Sequence, residues 1–130
     1  MTDTAFALSR IGQIAVNARD LERAVAFYRD VLGMRFLFQV PPTLAFFDCG
    51  GIRLMLGTPE NAEFDHPASV IYYDVDDIRA AHAAIAARGA TFIDEPHLVA
   101  RLPHAELWMS FLRDPDDNVL ALMSEVEPSV

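Results

Sequence analysis

Two stretches of the chain repeat one pattern of apolar and polar positions. In the first, Ile14, Val16 and Ala18 alternate with Gln13, Ala15 and Asn17, the period of two expected of a half-buried strand. Asp20 then suits a helix N-cap, because its carboxylate can accept from the free N–H groups of the first turn. Leu21, Ala24, Val25, Tyr28 and Leu32 follow at helical spacing, so a helix over about 21–32 lays one apolar stripe on a sheet. Gly33 can take the positive φ that ends it. After Pro67 the plan returns. Val70, Tyr72 and Asp74 alternate with Ile71, Tyr73 and Val75, Asp77 is the second N-cap, and Ile78, Ala81, His82 and Ile85 carry a helix to Gly89.

Strand-forming runs follow each helix. In the first unit they lie at 34–40, 44–48 and 52–56. Pro41 and Pro42 close the first run, since neither can donate to a ladder, and Gly50-Gly51 turns the last two into a hairpin. In the second unit, runs at 90–93, 97–102, 107–113 and 119–123 are punctuated by the turn formers of 114–118. The expected order is β-α-β-β-β twice. The predicted fold class is therefore α+β: two tandem βαβββ modules forming a curved, cup-like mixed sheet with helices on its convex side. The boundaries are about 11–57 for module 1, 58–67 for a polar linker and 68–124 for module 2, all within one domain over 1–130. An acidic tail from Ser124 is expected to fray.

Composition narrows the function classes. Half the residues are hydrophobic, at 52%, which argues against disorder. The formal charge of −9 disfavours nucleic acid and anionic membranes as partners, since both need cationic patches. No run approaches the ~20 apolar residues of a membrane span, and the first residues lack the pattern of a signal peptide. Cys49 is the only cysteine, so an internal disulfide and a cysteine-based zinc cluster are excluded. A cytoplasmic protein is the expectation.

Four segments carry a family resemblance: DLERAVAFYRDVLGM, GGIRLML, YDVDDIRAAHAAIAARGA and FLRDPDDNVLALM. They resemble the vicinal oxygen chelate superfamily of glyoxalase I, bleomycin-resistance proteins, extradiol dioxygenases and methylmalonyl-CoA epimerase. The resemblance covers about 11–123. It implies a divalent metal on four cup-facing side chains, at the positions of Gln13, Leu54, Val70 and Ala121. Three of these offer no lone pair, and one neutral amide cannot retain a catalytic divalent ion. The usual metal site is thus expected to be missing. Asp117 replaces the glycine of the family's DPDGN turn, a position where aspartate tolerates the left-handed conformation.

If Gln13 faces the cup, alternation brings Asn17, Tyr72 and Asp74 to the same lining, with Leu54 and Leu56 on one hairpin and Ala121 and Met123 on the other. Such an apolar lining with a few polar points suits an organic ligand. The segment HLVARLPHAELW adds His97, Arg101 and Trp108 as ligand-contact candidates. A metal held by His97, His104 or Glu106 is the less favoured use of that segment, and His82, mid-helix among alanines, is expected at the surface or at an interface. The leading expectation is a metal-free glyoxalase/bleomycin-resistance-like protein that binds a small organic molecule without a cofactor, as a homodimer. Tyr72 and Trp108 would stack on the ligand, and Asp74 would favour a cationic one. The alternative is a metal-dependent lyase or isomerase of glyoxalase or epimerase type using non-standard ligands.

Overall fold

Both predicted caps are realised in the computed structural model, which describes residues 6–59 and 62–128. Asp20 accepts from the Arg23 N–H at 3.1 Å, and Asp77 accepts from the Ala80 N–H at 3.1 Å. Helix α1 (Leu21–Ala26) and helix α2 (Ile78–Ala87) start directly after them. α1 is shorter than its apolar stripe suggests because it loosens into a π-helical turn, Phe27–Val31, where the Leu32 N–H reaches the Phe27 carbonyl at 3.0 Å. Gly33 and Gly89 follow the two helices at φ +73° and +102°, which a side chain would disfavour.

The first sheet is built from β1 (Gln13–Asn17), β2 (Arg35–Val40), β3 (Leu44–Cys49) and β4 (Ile52–Gly57), in the spatial order β1-β4-β3-β2. β1 runs parallel to β4, and the other pairs are antiparallel. The second sheet comprises β5 (Ile71–Asp74), β6 (Thr91–Phe92), β7 (His97–Arg101), β8 (Glu106–Arg113) and β9 (Val119–Val126). Its order is β5-β9-β8-β6, with β7 also on β8, so β6 and β7 share the place of one interrupted strand. The outcome is α+β, two mixed sheets in a cup-like arrangement. The start of the tail departs from expectation: Ser124, Glu125 and Val126 pair with Trp108, Leu107 and Glu106 instead of fraying, while 129–130 lie outside the described residues. No helix among the described residues is long and apolar enough to cross a membrane.

Each helix covers one face of its own sheet and leaves the other open. Val16, Phe47, Leu54 and Leu56 lie on the covered face of the first sheet, and Leu112, Leu120 and Leu122 on that of the second; all join one core with Leu21, Val25, Ile78 and Ile85. Full burial of such a side chain contributes about 1.5–3 kcal/mol. His82, expected at the surface or at an interface, is a correction. It is 8% exposed, packs its ring 3.8 Å from that of Phe92 and meets the Ser110 hydroxyl at 3.2 Å. Its place four residues after Ile78 and three before Ile85 puts it on the helix's inner stripe, although the four alanines around it suggested a solvated position.

The two units interlock through the turn 114–118, where Asp117 takes φ 63°. The Tyr28 phenol, from the first unit, donates to Asp114 Oδ2 at 2.8 Å. The Arg19 N–H donates to Asp116 Oδ1 at 2.9 Å, Arg23 reaches the Pro115 carbonyl at 3.1 Å, and Asn118 donates to the Asn17 carbonyl at 3.1 Å. At the far end of the helices, Arg88 donates to the Val31 carbonyl at 3.1 Å. The units therefore share a core between them while their open faces stay uncovered by helices.

Candidate functional site

The open face of the first sheet begins with Gln13, Ala15 and Asn17, as alternation predicts. Their parallel partners are Arg53, Met55 and Gly57, and residues level in a parallel pair project from the same side of a sheet. Leu54 and Leu56 are therefore a correction. They are 3% and 0% exposed in the core beneath α1, not in the cup. The repeat gives the true counterpart of Ala121. Ala121 lies level with Tyr72; Tyr72 stands two past Val70 as Ala15 stands two past Gln13; and Ala15 lies level with Met55. By this repeat symmetry Met55, not Leu54, stands at the place that corresponds to Ala121.

This shift changes the chemistry of the set. Gln13 Oε1 already accepts from Arg53 Nε at 2.8 Å, and Gln13 Nε2 lies 3.6 Å from the Met55 sulfur. A guanidinium therefore occupies the amide oxygen that a metal would need. Val70 and Ala121 are hydrocarbon, and a lone thioether is a poor ligand for a hard divalent ion. The residues present do not fit a divalent cation at this place.

A cavity of about 270 Å³ opens at the linker end of the same face. Ala15, Leu44, Met55, Gly57 and Ala68 form most of its apolar wall, with Asn17, Thr58 and His66 at its polar edge. Gly57 keeps the floor low, since a Cβ there would meet Leu44 Cδ2 at 3.0 Å. Asn17 fixes the rim by donating to the His66 carbonyl at 3.1 Å. Sequence reasoning assigned His66 only to the linker and missed Met55 and Arg53. The signal available for the latter two was Gln13 itself, whose strand must lie beside that hairpin.

The open face of the second sheet carries Tyr72 and Asp74, level with Ala121 and Met123, and Phe111 beyond them. The Tyr72 and Phe111 rings meet edge to face, with centroids 6.0 Å apart. Val70 precedes β5 and is exposed. His97 is level with Met109 and shares this face; its Nδ1 lies 2.8 Å from the Glu95 carbonyl, which only accepts, so Nδ1 carries the proton.

Trp108 and Arg101 lie on the other face of the second sheet from Tyr72 and Asp74. Trp108 is level with Ser124 and packs against the core, with the Arg79 guanidinium of α2 5.3 Å from its ring centroid. Its indole N–H donates to Glu106 Oε1 at 3.3 Å, and Arg101 donates to Glu106 Oε2 at 2.6 Å. All three belong to the covered side. A run such as ELWMSFLR is apolar on both faces, so its alternation could not fix the phase. His104 instead meets Glu125 at 3.0 Å. Hence His97, His104 and Glu106 have separate partners, and among the described residues no three His, Cys, Asp or Glu side chains gather as a metal would require.

Comparison with known proteins agrees with this geometry at the level of the family. The model of the Glyoxalase/Bleomycin resistance protein/Dioxygenase superfamily matches residues 10–122. No curated protein matches significantly. Among solved structures, the chain is similar to a lactoylglutathione lyase from Agrobacterium tumefaciens, with 28% identity, a TM-score of 0.71, and 91% of this chain and 95% of that one covered. It is similar in fold to a superfamily member from Sphaerobacter thermophilus, with 24% identity, a TM-score of 0.74, and 91% and 98% covered. A virulence protein from Salmonella typhimurium shares the fold with 20% identity, a TM-score of 0.75, and 93% and 100% covered. With a repeated βαβ plan, two open sheet faces and a family model spanning both units, the chain belongs to the Glyoxalase/Bleomycin resistance protein/Dioxygenase superfamily.

Proposed function

We propose that this protein binds a small, largely apolar organic molecule on the open face of its first sheet, without a divalent metal at the family's usual place. The observation that carries this reading is the cavity bounded by Ala15, Leu44, Met55 and Gly57, beside a donor set that has lost its metal ligands. A cavity lined by hydrocarbon with a few polar points at one edge is how proteins hold small organic ligands. A lyase or isomerase of glyoxalase type is the second reading, favoured by the 28% identity to a lactoylglutathione lyase. It would need ligands from elsewhere in an assembly.

The chain acts as a homodimer in this reading. Phe38, Val40, Val70 and Tyr72 are 39–47% exposed, and a second copy that brings the Tyr72–Asp74 strand of one chain over the cavity of the other would cover them. A cytoplasmic location fits the single cysteine and the acidic charge.

Gly57→Val is the direct test, because its side chain would occupy the cavity floor. Native mass spectrometry of the purified protein should show a bound small molecule, or a fragment screen by NMR should find one. The variant should hold it at least about tenfold less tightly, a loss on the order of 1.4 kcal/mol. Binding that survives unchanged in a folded Gly57→Val would move the site elsewhere. Stoichiometric metal in protein purified without chelator, lost on Gln13→Ala, would favour the second reading. Sedimentation at micromolar concentration should give a dimer.

A further inference from the structure

We propose that the open-face site selects organic anions, with the apolar body of the ligand in the cavity and its carboxylate on Arg53. This rests on the cavity reading above and adds the charge of the ligand. Two contacts position the guanidinium. Its Nε donates to Gln13 Oε1 at 2.8 Å, and its Cζ lies 5.0 Å from the Phe46 ring centroid. Phe46 is in turn held by Phe38, with centroids 4.7 Å apart, and is only 8% exposed although it lies on the open face. Nε and one face of the group are used; among the described residues, no hydrogen bond takes the edge bearing both terminal nitrogens, which is left for a partner. That edge is the fork which matches a carboxylate bidentately.

Arg19, Arg29 and Arg101 are paired with Asp65, Asp30 and Glu106, whereas Arg53 has no ion pair among the described residues. Asp48, its neighbour across β3, accepts from the Gly51 N–H at 3.2 Å instead. Met55 joins the two halves of the site, since it lines the cavity and touches Gln13. Arg53 stands two residues from Met55 along β4, a step of about 7 Å. A ring or short chain in the cavity could therefore place an acid on Arg53 through a linker of a few carbons. The net charge of −9 repels anions in general, so recognition here must come from this contact and from burial of the apolar body.

Calorimetry on the full chain with 4-phenylbutyrate and its uncharged amide tests this. The parent should bind the acid about tenfold more tightly than the amide, the range for a charge-assisted hydrogen bond. Arg53→Gln should bind both at the amide's level, and Arg53→Lys should fall between, while Gly57→Val should weaken both probes. In the parent, the Arg53 Nε–H resonance should move with the acid and not with the amide. Equal affinity of the parent for the two probes, or an acid preference that survives Arg53→Gln, overturns the inference and leaves the cavity standing. If the parent binds neither probe, the cavity reading fails and the inference fails with it.

Discussion

Asp114→Ala should destabilise the fold by about 3–4 kcal/mol, far more than an ordinary turn substitution. The side chain is 5% exposed, and its two oxygens accept four hydrogen bonds. Oδ1 takes the N–H groups of Asp116 and Asn118 at 2.8 and 3.0 Å, and Oδ2 takes the Asn118 amide and the Tyr28 phenol at 2.9 and 2.8 Å. Alanine leaves these donors without their acceptor. The loss also opens the seam between units, because Tyr28 comes from the first and the turn from the second. Asp114→Asn keeps the shape but turns one acceptor into a donor, so it should cost roughly half as much. Urea unfolding with an unchanged slope measures both; a loss below about 1 kcal/mol for alanine would show that the turn is held by its backbone alone.

Alkaline pH should weaken the fold through two phenols. Burial, reinforced by the charge of Asp114, pushes Tyr28 well above the ordinary 10.0 of tyrosine, and burial pushes Tyr73 the same way. In the unfolded chain both release their protons near 10.0, while the folded chain keeps them. Above that pH the unfolded state binds fewer protons, so stability present below about pH 10 is lost as pH rises. Each tyrosine contributes a fall of up to about 1.4 kcal/mol per pH unit. Unfolding measured between pH 9 and 11.5 should show this slope, and Tyr28→Phe with Tyr73→Phe should remove most of it. A double variant with the parent's slope would assign the loss to other groups, such as Cys49, whose thiol burial also pushes upward.

The repeat was legible because its punctuation is chemical. Asp20 and Asp77 cap, Gly33 and Gly89 stop, and β1 and β5 alternate cleanly, so the faces of Gln13, Asn17, Tyr72 and Asp74 could be read directly. The faces of β4 and β8 could not. IRLML and LWMSFL carry apolar residues on both sides, and a one-residue slip exchanges the faces. That slip put Leu54 where Met55 stands and left Trp108 without a side. Only the pairing register resolves it, and that depends on neighbours distant in sequence. The β9 extension was hidden for another reason: Ser124 and Glu125 are poor strand formers, held by pairing to β8 rather than by propensity. Arg53 was overlooked because an arginine in a hairpin reads as solvated until the ring of Phe46 and the amide of Gln13 are found around it.

The bonds that cross between the units join them at both ends of the helices, in addition to the covalent connection through 58–67. Arg19, Arg23, Asn17 and Tyr28 grip the 114–118 turn, and Arg88 grips the end of the first helical segment. Two half-length polypeptides, cut within that connection, carry complementary surfaces and would recognise each other as nicked halves of one molecule. The same surfaces allow a half from one polypeptide to take the place of its equivalent in another. Gene fission, fusion and exchange of halves are therefore open to this architecture without redesign of its interior, and a new ligand face could be acquired by trading one half while keeping the other.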